Sequence, residues 1–68
     1  MITISYNKLW KKLIDMNLNK TQLREMACIG TGTMSKLSKG EAVGLEIIAK
    51  ICFALKCNIE NVVEFVYE

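Results

Sequence analysis

The sequence predicts an all-α protein, a compact bundle of five helices in a single domain spanning residues 1–68. Three observations predict it. Apolar residues recur at three- and four-residue spacing through five consecutive segments, the signature of helices that each bury one face. Proline is absent and the four glycines are scattered, so no segment reads as linker, collagen-like or low-complexity. Hydrophobic residues make up 51% of the chain but aromatic ones only 7%, which calls for a thin, mainly aliphatic core with some methionine.

Met1 to Ile4 alternates, with Ile2 and Ile4 on one side, and reads as a short extended arm. Ser5 is the expected cap of the first helix, its hydroxyl accepting from a free backbone amide. That helix is expected over 6–16, with Tyr6, Trp10, Leu13 and Ile14 inward, Leu9 broadening the stripe, and Lys8, Lys11, Lys12 and Asp15 outward. Trp10 reads as the main aromatic of the core, and Asn17 as the stop. The second helix opens at Asn19 or Lys20, with Thr21 close behind; Leu23, Met26 and Ala27 face inward, Arg24 and Glu25 outward.

Cys28 to Gly30 is the expected turn. Thr31 caps or begins the third helix, which buries Met34 and Leu37 and ends at Lys39 and Gly40, where glycine suits a left-handed residue. A loop over 41–44 leads to the most apolar helix, over 45–55, with Leu45, Ile48, Ile51, Cys52 and Leu55 as its buried stripe and Ile47, Ala49 and Ala54 widening it. Glu46 and Lys50 form an i, i+4 pair on its outer face. Phe53 lies on that side too, either covered by another part of the chain or available to a second subunit. Asn58 is the expected cap of a fifth helix running from Ile59 to about Phe65, whose β-branched residues leave it dependent on tertiary packing. The apolar tail Phe65, Val66 and Tyr67 has three possible uses: closing the core, meeting its copy in a dimer, or pairing as a strand with Ile2 to Ile4.

Function is best read from residues 21–40. Opposite the buried side of the third helix, Thr31, Gly32, Ser35, Lys36 and Lys39 recur at i, i+1, i+4, i+5 and i+8, a small, polar and basic face. Held at an angle by a partner helix, such a face fits a DNA major groove. Charge agrees with this: residues 1–40 carry a net +5 and residues 41–68 a net −3, so one half is suited to a polyanion.

Leu23, Ala27, Ile29, Thr33, Met34, Leu37 and Gly40 match the spacing of the helix-turn-helix in phage Cro and repressor proteins, the XRE family, which the chain resembles from Ser5 to Phe65. Two residues depart from that pattern: Arg24 stands where the family usually has a small residue, and Cys28 where it usually has glycine. The resemblance implies a bundle of the phage repressor DNA-binding type, with helices two and three as the helix-turn-helix and no enzymatic activity. It implies base contacts from Thr31, Gly32 and Lys36. Thr33 and Ser35 would lie near sugar and phosphate, as would Lys39, and Asn19, Lys20 and Thr21 would meet phosphate at the start of the second helix. Lys36 could donate to guanine O6 and N7, whereas Gly32 offers only backbone, so modest specificity or shape readout is expected. The implied partner is double-stranded DNA, bound by a homodimer with Phe53, Phe65, Val66 and Tyr67 as candidate contacts.

The chain has no histidine, and it lacks paired carboxylates in an apolar stretch, a glycine-rich phosphate loop or a nucleophile motif. No cofactor, metal or small-molecule ligand is expected, and a domain of this size leaves no room for a separate sensing domain. Cys28, Cys52 and Cys57 form no CxxC pair and read as structural thiols, with a redox switch as the lesser alternative. No run approaches the roughly 20 apolar residues of a bilayer span, so a cytoplasmic location is expected. The rival reading, from a different class, is a protein-interaction module of the same fold, such as an antitoxin or adaptor subunit.

Overall fold

The computed structural model describes residues 1–68 as β1 (Ile2–Ser5), α1 (Asn7–Asp15), α2 (Lys20–Ala27), α3 (Thr31–Ser38), α4 (Leu45–Leu55), a 3₁₀ turn over Ile59–Asn61, and β2 (Glu64–Tyr67). Four α-helices are present where five were expected. The expected fifth helix stops after one 3₁₀ turn and becomes β2, which pairs antiparallel with β1 in the register Ile2 to Tyr67, Thr3 to Val66, Ile4 to Phe65 and Ser5 to Glu64. The fold is therefore mostly rather than wholly helical. The physical reason lies in the residues: β-branched and aromatic side chains favour extended backbone, and the arm over 2–5 offers them an unpaired edge.

Twelve buried residues form one core: Tyr6, Leu9 and Leu13 from the first segment, Leu23, Ala27 and Ile29 from α2 and the turn, Met34 and Leu37 from α3, Ile48, Ile51 and Leu55 from α4, and Val62 after the 3₁₀ turn. Leu9, Leu23, Leu37, Ile51 and Val62 are fully enclosed. The expected stripes are narrower than the periodicity suggests. Ile14 and Leu45 are 74% and 73% exposed and Met26 is 46% exposed, because each lies at the edge of its stripe where no neighbouring element reaches. Trp10 is only partly buried against this core. Ser5 belongs to β1 instead of capping α1, although its hydroxyl does accept from the Asn7 amide at 3.3 Å.

All four helices end in the same device. The amides of Asn17 and Leu18 donate to the Ile14 and Leu13 carbonyls at 3.1 and 2.9 Å, and those of Cys28 and Ile29 to Glu25 and Arg24 at 3.3 and 3.1 Å. Gly40 and Glu41 donate to Leu37 and Lys36 at 3.1 and 2.9 Å, and Lys56 and Cys57 to Phe53 and Cys52 at 3.3 and 3.0 Å. Each pair is a Schellman closure, which needs a left-handed residue at its first position. The φ values of Asn17, Cys28, Gly40 and Lys56 are 57°, 56°, 76° and 54°. Glycine fills that position only once, so Cys28 and Lys56 carry the steric penalty of a Cβ, roughly 1 kcal/mol each. Cys28→Gly and Lys56→Gly should each raise stability by about 0.5–1 kcal/mol, and Gly40→Ala should lower it by a similar amount or more. Thermal unfolding checks this, because about 1 kcal/mol moves the midpoint of so small a domain by roughly 4–8 °C.

Candidate nucleic-acid interface

The site is built from the turn outward. Asn19 caps α2 through a reciprocal pair: its Oδ1 accepts from the Gln22 amide at 2.7 Å, and Gln22 Oε1 accepts from the Asn19 amide at 2.9 Å. This capping box fixes where α2 starts. The Asn19, Gln22 spacing is its signal in the sequence, and it selects Asn19 over Lys20 as the residue at which the helix opens. Asn19 keeps only its amide nitrogen free for a further partner. Leu23 and Ala27 bury the inner side of α2, the left-handed Cys28 turns the chain, and Ile29 inserts into the core. Gly30 is the extended cap residue of α3 and makes no side-chain cap bond, so Thr31 is the first helical residue.

Burial of Met34 and Leu37 leaves the other side of α3 uncovered. Thr31, Gly32, Ser35, Lys36, Ser38 and Lys39 are all exposed and Thr33 is half-buried. A Cβ added at Gly32 would meet nothing within 4 Å; no neighbour within the chain demands a glycine there. No carboxylate occurs between Glu25 and Glu41, and neither Lys36 nor Lys39 enters an ion pair. The face is thus positive and unneutralised. Behind it, the buried Tyr6 hydroxyl donates to the Glu41 carbonyl at 2.7 Å and so ties the segment leaving α3 back to the start of α1. Burial pushes the Tyr6 phenol above its ordinary pKa, with the Val43 backbone pulling weakly the other way.

Lys20 lies elsewhere than its position in the sequence suggests. Its stem leaves the start of α2, but its Nζ donates to Ser38 Oγ at 3.2 Å and stands 4.5 Å above the centre of the Trp10 ring. The charge therefore sits at the C-terminal end of α3. Thr21 remains exposed at the start of α2, and Arg24 is half-buried.

The other surfaces differ in character. Lys8, Lys11 and Lys12 share a shallow hollow of about 260 Å³ with Asp15 and Glu60, and Lys8 bridges to Glu64 at 3.8 Å. Only Lys8 of this group is ion-paired, but carboxylates line the hollow beside all three lysines. An open apolar hollow of about 660 Å³ lies beside Met26, Cys52, Phe53, Ala54 and Cys57. Phe53 is 87% exposed, so no other part of the chain covers it. Phe65, Val66 and Tyr67 are 57%, 38% and 72% exposed on β2. The three cysteines are free; burial first, and then the neighbouring Cys57, pushes the Cys52 thiol up, away from the reactive thiolate. No helix is long and apolar enough to cross a membrane.

Two comparisons with known proteins agree with this geometry. Residues 8–68 match the family model of the Cro/C1-type HTH DNA-binding domain. Among solved structures, the chain is similar to the crystal structure of the transcriptional regulator VanUg, form II, with 40% sequence identity and a TM-score of 0.94 over 98% of this chain and 89% of that one. No match was found among curated proteins. With an uncovered basic helix in the expected place and a family match over almost its whole length, the chain belongs to the Cro/C1-type, or XRE, family of helix-turn-helix DNA-binding domains.

Proposed function

We propose that the chain is a sequence-specific transcriptional regulator that binds double-stranded DNA as a homodimer, with α3 in the major groove of a roughly palindromic operator. The observation that carries this reading is the outer side of α3, exposed from Thr31 to Lys39 and free of carboxylates. Thr31, Gly32 and Lys36 read base edges. Asn19, Lys20, Thr21, Thr33, Ser35 and Lys39 hold the sugar-phosphate backbone and set the register. The longest dimension of the chain is 33 Å, about one turn of DNA, so a single copy fills a single half-site. A second copy, joined through Phe53 and the Phe65, Val66 and Tyr67 edge, reaches the next groove about 34 Å away. Occupancy of the operator then blocks or assists polymerase.

The second reading, a protein-interaction module of this fold, is favoured by Phe53 beside its apolar hollow. Binding to mixed genomic duplexes decides between them. A DNA-binding protein loses affinity steeply as salt rises, in proportion to the phosphates it neutralises; no binding even at low salt would transfer the function to the second reading.

Three outcomes are expected. Lys36→Ala should weaken cognate DNA by about 1–3 kcal/mol and relax specificity, whereas Lys39→Ala should weaken all sequences alike; competition with cognate and scrambled duplexes separates the two, and equal losses for Lys36→Ala would remove it from the base-reading set. Gly32→Ala should stabilise the free protein by about 0.5–1 kcal/mol, since the added methyl meets only open space, yet lower DNA affinity because it holds the backbone off the bases. Thermal unfolding and DNA titration on the same sample would show the opposed signs. Sedimentation at micromolar concentration should give a dimer that Phe53→Ser shifts toward monomer; a monomeric wild type would remove this surface from the assembly.

A further inference from the structure

Trp10, Lys20 and Ser38 come from three different helices and meet at one point. Lys20 Nζ donates to Ser38 Oγ at 3.2 Å and lies 4.5 Å from the centre of the Trp10 ring. A long surface lysine ordinarily samples many rotamers. Here an aromatic face and a hydroxyl both hold it. An ammonium has three N–H donors, and Ser38 takes one. Trp10 and Ser38 also line a groove of about 330 Å³ between β1, the start of α1 and the end of α3, where Asn7 and Lys39 lie as well. None of the residues lining this groove is acidic. The lysines of α1, by contrast, share their hollow with Asp15 and Glu60.

We propose that Lys20 makes a DNA-backbone contact at the far end of the recognition helix, with Trp10 and Ser38, which also line the acid-free groove of Asn7 and Lys39, as positioning residues that present its ammonium to one phosphodiester. The inference rests on α3 entering the major groove and adds to it two residues outside the helix-turn-helix faces that sequence reasoning selected. Lys20 acts at the end of α3 and not at the start of α2, so the phosphate it holds lies past the last base that α3 reads. Trp10 supplies an electrostatic platform in addition to its packing.

The test uses the whole chain and fluorescently labelled duplex DNA, titrated at several salt concentrations. Lys20→Met keeps an apolar stem on Trp10 and removes the charge. It should reduce the slope of log affinity against log salt by about 0.9, so that between about 50 and about 200 mM salt the variant loses roughly threefold less affinity than wild type. Ser38→Ala and Trp10→Leu keep the ammonium but free it, so affinity should fall a few-fold with the slope retained. Trp10 is the one tryptophan, so its emission should change on adding DNA to wild type and not to Lys20→Met. Thermal unfolding of each variant reports its fold independently. An unchanged slope and affinity for Lys20→Met, with wild type still binding, would overturn the phosphate site and leave groove insertion by α3 standing. A weaker Lys20→Met with an unchanged slope would reduce the cluster to an internal tie between helices and equally overturn it. Absence of binding by wild type at low salt would defeat both readings at once.

Discussion

The burial of Met34 and Leu37 against α2 is the constraint from which the rest follows. Helix α3 has eight residues, well short of the roughly 12–15 at which isolated helices become even marginal in water. It contains Gly32 and two threonines, none of them strong helix formers. Local propensity therefore does not hold it. Two apolar side chains do, each contributing on the order of 1.5–3 kcal/mol when fully buried, with Leu37 entirely enclosed and Met34 nearly so. Once these two point inward, geometry leaves the opposite side no choice but solvent. The polar, basic face is uncovered because the face that folds the helix is narrow.

That dependence explains why the helix-turn-helix was legible in the sequence and other parts were not. Leu23, Ala27, Ile29, Met34 and Leu37 announce themselves by spacing, since a short helix with few apolar residues has only one way to bury them. Longer stripes carry less information. Periodicity assigns Ile14 and Leu45 to the inner side, but it cannot say how far a neighbouring element extends, and both lie beyond that reach. The end of the chain failed for another reason. Ile59, Val62, Val63 and Val66 satisfy a helical spacing, yet only Ile59 lies in a helical turn, and Val66 pairs with Thr3 of a strand some 60 residues away in sequence, a partner that no local pattern contains. The strand pairing was one of three uses open to the tail, and burial alone could not have selected it.

Lys20 illustrates a third limit. Sequence position places its Cα at the start of α2, correctly. Where a lysine charge acts is set by the end of a flexible stem several ångströms long, and that end is directed by Trp10 and Ser38. Net charge counted along the chain has the same weakness. The +5 of residues 1–40 includes Lys8, Lys11 and Lys12, which the fold sets beside Asp15, Glu60 and Glu64. What distinguishes the α3 side from the α1 side is less the number of lysines than the absence of carboxylates near them. A polyanion senses that difference, because carboxylates close to the lysines repel its phosphates.

The turn brings folding and recognition into direct conflict. A Schellman closure with a left-handed first residue is required between α2 and α3 if Ile29 is to enter the core while α3 departs at an angle. Cys28 supplies that conformation with a Cβ in the way, and Arg24, whose carbonyl receives the Ile29 amide, stands half-buried on the adjacent turn. Two unusual residues thus occupy the closure that sets the angle of α3, while the angle itself is braced from the far end. There Tyr6 holds Glu41, Glu41 closes onto Lys36, and Lys20 reaches Ser38. A recognition helix fixed at both termini, with its middle resting on two side chains, is preorganised without needing many base readers. With Gly32 and small hydroxyls along its outer face, the proposed docking of α3 draws more of its discrimination from groove shape than from hydrogen bonds by its side chains.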